Sequence, residues 1–299
     1  MNETKILKKQ ERTYLFLVIG TCYLLGMIGL LSSGKESNPA FDFLQKAFTA
    51  FPVLAAFLTR KIASDKDEIW FSLKVWKNWK LWALCAFVPG ILIGLGAALY
   101  YLLFPQTYTG IFNYGELATL IGMSAEGTLV IRNPLVFWLI VILISALFIP
   151  LQLLELGEEV GWRGYVLPKQ IALYGTMKAV LLNGFWWGIA HMPLIYFGFN
   201  YSLQNWLAPW SNMLVMMLMC MVLGVILSYV TIKSENCMYA GIIHGVVNIA
   251  AEVPVFLSLS GQSGLLGPNP TGLIGMLGLI VYASILLVCL WKNRNLQEE

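Results

Sequence analysis

Residues 209–231, PWSNMLVMMLMCMVLGVILSYVT, run without a single charged side chain. At about 1.5 Å of rise per residue, a helix of this length spans the roughly 30 Å hydrocarbon core of a bilayer. In that medium free backbone N–H and C=O groups find no partner, so the run must be a helix. The ten-residue alternation of a membrane barrel strand is absent. Apolar runs of similar length recur at 13–33, 41–59, 81–104, 135–156, 176–197, 237–258 and 272–291. They predict an all-α, polytopic membrane bundle of about eight transmembrane helices.

Composition points the same way. Of 299 residues, 58% are hydrophobic and only 12% charged, with a mean hydropathy of +0.72. Soluble domains carry roughly a quarter charged residues. The net charge of +3 is mild, and the Lys and Arg residues lie mostly between the spans, which argues against a nucleic-acid partner and makes membrane lipids the expected surroundings. Placing the N-terminus in the cytoplasm puts sixteen of the nineteen basic residues on that side and leaves only Lys35, Lys46 and Arg132 outside. The positive-inside rule expects this asymmetry. An even number of spans then makes both termini cytoplasmic, and the cell membrane is the expected location.

The basic N-terminal stretch (Lys5, Lys8, Lys9, Arg12) precedes an apolar run too long for a signal-peptide core, so it reads as a retained first helix. Residues 60–80 interleave basic side chains with Trp70, Phe71, Trp76 and Trp79, as an interfacial helix on anionic headgroups would; a plain loop is the alternative. Residues 105–134 read as an outer segment capping the bundle. Cys22, Cys85, Cys220, Cys237 and Cys289 have no CxxC spacing and read as small hydrophobes. No repeat or linker divides the chain, so residues 1–299 form one membrane domain.

Ionisable side chains inside a hydrocarbon layer are expensive, and the runs that tolerate them mark function. The chain has two histidines, His191 and His244, both within predicted spans. Three polar clusters stand out. In LELGEEVGWRG, Glu155, Glu158, Glu159 and Trp162 fall on neighbouring helical faces, and Glu159 precedes Arg163 by four, the favourable order for a helix ion pair. One carboxylate can be neutralised while the other stays free; a juxtamembrane helix reaching water is the plainer reading. In NGFWWGIAH, Trp187 and His191 share a face, and Gly184 and Gly188 let another helix approach closely. In GIIHGVVNIAAE, His244, Asn248 and Glu252 form a polar stripe that must meet a central polar cavity or a partner.

Carboxylates, two imidazoles and a carboxamide, with no Ser or Cys nucleophile in a suitable context, suit water-mediated attack on a carbonyl. Glu158, oriented by Glu159 and Arg163 and assisted by His191, is the expected water-activating residue. His244 and Asn248 are the expected oxyanion donors. This version requires no cofactor. A second version binds zinc through His191, His244 and Glu158, although no HExxH is present.

These residues resemble the motifs of the CPBP family, the CAAX-protease and bacteriocin-processing membrane proteins that include the type II CAAX prenyl endopeptidases. Its EExxxR looks like Glu158, Glu159 and Arg163, its FxxxH like the stretch ending in His191, and its HxxxN like His244 to Asn248. The motifs occur in family order across roughly residues 135–255. One departure is visible: Trp187 stands where the family has Phe, with Phe185 two positions earlier, and ring stacking on His191 is expected to survive. The resemblance implies an eight-helix bundle with a conical cavity open to the cytoplasm, and an endopeptidase acting on a membrane-associated peptide or protein tail. It also implies the role of each residue above; the family's common metalloprotease label keeps zinc in view. A non-catalytic bacteriocin self-immunity protein and a small-solute transporter are the rival expectations, the latter weakened by the lack of a repeated half.

Overall fold

The computed structural model of the chain describes residues 3–31, 47–115, 124, 126–259 and 264–298, the side chains of 150, 151 and 293–298 excepted. Lys35, Lys46 and the first part of the predicted 41–59 span lie outside the described residues. The chain runs α1 (Glu3–Leu31), α2 (Phe51–Ile62), α3 (Trp79–Leu103), α4 (Pro134–Leu147), α5 (Ile149–Leu154) and α6 (Leu156–Glu159). A π-helical turn (Val160–Val166) follows, then α7 (Leu167–Tyr174), α8 (Thr176–Tyr196), α9 (Trp210–Ser234), α10 (Met238–Phe256) and α11 (Leu277–Glu298). The all-α expectation holds: among the described residues strands are confined to one hairpin, β1 (Ile111–Asn113) paired antiparallel with β2 (Thr128–Val130). That hairpin lies in the predicted outer segment. Its Phe112 packs on Phe137 of α4 and Phe256 of α10, closing that end of the bundle.

Large apolar side chains are exposed along the outer helices, among them Leu135, Leu139 and Leu143 of α4, Leu214 of α9 and Phe16 of α1. Patches this extensive suit lipid rather than water, and the chain is an integral membrane protein. The count of spans differs from the sequence expectation. Among the described residues, four helices are long and apolar enough to cross (Glu3–Leu31, Val75–Leu103, Trp210–Ser234 and Met238–Phe256), or five if the bent pair Pro134–Leu147 and Gln152–Tyr174 is one span. The sequence reading counted eight. Helix α8 has the length but carries Asn183 and His191 within it, while α2 starts only at Phe51 and the apolar part of α11 is short.

The predicted 135–156 helix is broken. Phe148 leaves the helical region (ψ 71°), and the two halves meet at 48°. Pro150 has no N–H to continue the ladder and disfavours a helical residue before it. The carbonyls orphaned at the break are taken up locally: the buried Gln152 donates from Nε2 to Ser145 O (2.7 Å) and Ala146 O (2.9 Å). Helix α10 is the hub, with 78% of its apolar window buried against 28% for peripheral α1. It packs on α3, α5 and α9, while α8 and α9 form the closest helix pair. At the α8–α9 crossing a Cβ on Gly184 would lie 2.9 Å from Met221 Cα, so the small-residue face reads correctly.

The interfacial helix considered for residues 60–80 is not formed. Between α2 and a short 3₁₀ turn (Val75–Asn78) the chain is irregular and pinned by polar contacts. Lys169 Nζ reaches Asp65 Oδ2 (2.9 Å) and Asp67 Oδ2 (2.8 Å), and Tyr165 O–H donates to Asp65 (2.9 Å). Trp70 N–H donates to Gly164 O, and Cys237 N–H to Trp70 O. Local hydrogen bonding to neighbouring elements has replaced the helix that the aromatic spacing suggested.

Candidate active site

The three polar clusters meet around one ring. Trp187 of α8 donates from Nε1 to Glu158 Oε2 at 2.7 Å. The Arg163 guanidinium lies 4.2 Å from its centroid. The imidazoles of His191 and His244 each meet it edge-on at 5.3 Å, with interplanar angles of 82°. The aromatic contact expected of Trp187 on His191 is therefore present as an edge contact rather than a stack. Phe48 also lies against His191, tilted by 58° with 4.5 Å between centroids.

Glu159 is fully buried and organises the second half of the site. Its Oε1 accepts from Arg163 Nη1 (3.0 Å) and from His244 Nδ1 (2.9 Å). The i,i+4 ion pair expected from sequence is made, and both partners are 0% exposed. A charge-assisted bond in such surroundings is strong, and both groups need it to be tolerable there. The sequence reading had Glu158 oriented by Glu159 and Arg163; the direct hydrogen bond to it comes from Trp187, against which Arg163 lies. The two adjacent glutamates are separated by role: one paired with a cation, the other with a neutral indole.

Backbone geometry makes this possible. Glu158 and Glu159 end α6, and the π-helical turn carries Arg163 beneath Trp187. Helix α10 brings His244 in because Gly245 lets it press on α5: a Cβ there would stand 2.3 Å from Gln152 Cα. His191 uses Nδ1 on the Trp187 carbonyl (2.9 Å), which assigns the proton to Nδ1 and leaves Nε2 as an acceptor. Asn248, one turn beyond His244, is exposed, and Glu252 is half-buried.

Two contributors escaped the sequence reading. Glu155 was noted but given no role, yet its Oε2 lies 3.9 Å from His244 Nε2. Asn183 of α8, fully buried, donates to Trp162 O (2.9 Å) and Gln170 Oε1 (3.0 Å), tying the π-helical turn to α8. An amide in an apolar run was the available signal.

The fit to a metal can be tested on the donors. Ligand atoms of Glu155, Glu158 and His244 lie within 4.8 Å of one another. Two oxygens and an imidazole nitrogen whose ring is fixed by a carboxylate on its far side suit zinc. His191 is not in this set, so the trio drawn from sequence, His191 with His244 and Glu158, is not the one gathered here. The same 4.8 Å separation is one that a bridging water can span.

Residues 132–250, which contain all three motifs, match the family model described as type II CAAX prenyl endopeptidase Rce1-like. A curated relative, CAAX prenyl protease 2 of Methanococcus maripaludis, is 29% identical over 97 residues, covering 32% of this chain. The matched part spans 36% of that relative, about a third of its length. The resemblance is thus carried by the polar core of the bundle.

Proposed function

We propose that this protein is an intramembrane endopeptidase of the CAAX-protease type, cleaving a peptide bond in a membrane-associated peptide or protein tail. The observation that carries the reading is the convergence on Trp187 of Glu158, Arg163, His191 and His244, drawn from three separate segments. In this reading Glu158, held by an indole rather than by a cation, accepts a proton from the attacking water. His191, with Nδ1 engaged, offers Nε2 as a second acceptor for that water. His244, protonated on both nitrogens between Glu159 and Glu155, keeps Glu159 with Nδ1 and presents Nε2–H to the developing oxyanion. The exposed Asn248 amide completes the oxyanion pocket. Should zinc be held by Glu155, Glu158 and His244, it would supply an acidified water and a Lewis acid for the carbonyl.

We also infer that the site opens toward the side bearing Lys77, Lys80 and Lys233, with the termini in the cytoplasm. Glu158→Gln keeps the shape of the side chain and removes its basicity. In proteoliposomes with a lipidated peptide substrate it should abolish turnover while the protein stays monodisperse and cooperative in unfolding; cleavage at the wild-type rate would refute the assignment.

A further inference from the structure

A cavity of about 250 Å³ lies between α3, α9, α10 and α11, lined by none of the polar-site residues. Its walls are apolar, with Leu81 and Leu92 of α3 marking its ends along that helix, and Lys233 is the one charged residue lining it. The eleven rises from Leu81 to Leu92 measure about 16 Å, roughly half the hydrocarbon core, so the cavity is one leaflet deep.

The Lys233 end carries the marks of a headgroup level. Trp79 and Lys80 begin α3, Trp291 and Lys292 lie toward the end of α11, and both tryptophans are more than half exposed (65% and 53%). Exposed Trp beside Lys is the usual signature of a membrane interface. Lys233 lies 5.9 Å from the Tyr229 ring centroid and forms no salt bridge among the described residues. An ammonium above an apolar slot of leaflet depth is complementary to a phosphate above an acyl chain.

We propose that this cavity is a binding site for an anionic phospholipid, its acyl chain lying along α3 and its phosphate held by Lys233. The site does not depend on the peptidase reading; a chain without peptidase activity would still have it.

The test uses the full chain, purified and exposed to equal amounts of phosphatidylglycerol and phosphatidylcholine of identical acyl composition, with retained lipid read by native mass spectrometry. Phosphatidylglycerol should be retained about fivefold over phosphatidylcholine, the ratio expected for one lysine at an anionic surface. Lys233→Gln should remove that preference and leave phosphatidylcholine retention unchanged. Val88→Trp, which fills the slot from α3, should lower retention of both lipids. A phosphatidylglycerol with a photoreactive acyl chain, applied to the unsubstituted protein, should label peptides covering 81–92 and 226–233, which keeps the idea testable if either variant misfolds. Equal retention of the two lipids, an undiminished preference in Lys233→Gln, labelling confined to other helices, or displacement of the lipid by a farnesylated peptide would overturn the proposal.

Discussion

Replacing Glu159 by Gln isolates the electrostatics of the site from its shape. Both hydrogen bonds to Glu159 fall on Oε1, from Arg163 and from His244, so the amide oxygen of Gln can accept both. What changes is charge. The Arg163 bond keeps its cationic donor and stays charge-assisted, but the ion-pair attraction is lost with the anion. The new NH₂ group takes the place of Oε2, a buried atom with no hydrogen-bond partner among the described residues, adding a desolvation cost of about 1–3 kcal/mol. Arg163, 0% exposed, keeps a hydrogen bond to the amide oxygen and its contact with the Trp187 ring but loses its counter-ion. Removing one member of a buried ion pair costs roughly 3–5 kcal/mol. Unfolding free energy in mixed micelles should drop by about that amount, and turnover should fall at least about tenfold as His244 loses its anionic partner. Arg163→Gln should cost a similar amount, yet the double variant should lose clearly less than the sum, because no charge is left unpaired. Single-variant losses that add to within about 0.5 kcal/mol would show that the pair is not coupled, and the account of the site would fail.

Trp187→Phe removes the donor to Glu158 while keeping an aromatic face for Arg163; kcat/KM should fall about 10- to 100-fold with a smaller effect on stability, and an unchanged kcat/KM would mean the 2.7 Å bond plays no part. Gly245→Ala puts a methyl 2.3 Å from Gln152 Cα, so α10 must shift away from α5. That variant should lose about 1–3 kcal/mol of stability, read as a lower melting temperature in detergent, and should lose activity with it. At Asp65, burial alone would raise the pKa, but hydrogen bonds from Lys169, the Asp67 backbone N–H and Tyr165 outweigh it and hold the carboxyl below its ordinary 3.8. A depressed carboxylate stabilises above that ordinary value and loses its effect as pH falls through the folded one. Pepsin cleavage within residues 63–74 should therefore rise as pH drops below about 4 in the wild type, whereas Asp65→Asn should be cleaved readily across the range.

Much of the site was legible because membrane burial makes polar residues conspicuous. The two histidines, the EExxxR run and the His244 stripe could be read from their cost in lipid alone. The Glu159–Arg163 pair followed from helical spacing, and the close approach at Gly184 from the small residues. The partner of Glu158 was not legible. Trp187 was assigned to His191 by its spacing within α8, and nothing local in the chain announces an indole N–H reaching across to another element. The eight-span count is not confirmed for a related reason: hydropathy counts apolar residues but does not register Pro150 and Gln152 turning one predicted span into a bent pair, or polar Asn183 inside α8. The irregular course of residues 63–74 likewise rests on partners far along the chain, Gly164, Lys169 and Cys237.

The π-helical turn joins these two kinds of finding. A turn of this form widens the ladder and is seldom stable by itself, yet all seven residues from Val160 to Val166 are buried. Its carbonyls are satisfied from outside as well as within. Trp162 O accepts from Asn183 of α8 in addition to Leu167 N–H, and Gly164 O accepts from Trp70. A Cβ on Gly161 would lie 2.4 Å from the Pro52 carbonyl carbon, so the turn packs flush on α2. Three elements thus hold in place a backbone form that local propensity would not choose. The position so fixed is that of Arg163, the cation that pairs with Glu159 and lies against Trp187 while leaving Glu158 unpaired. The buried amide of Asn183 and the tethered 63–74 segment act on the site through that turn.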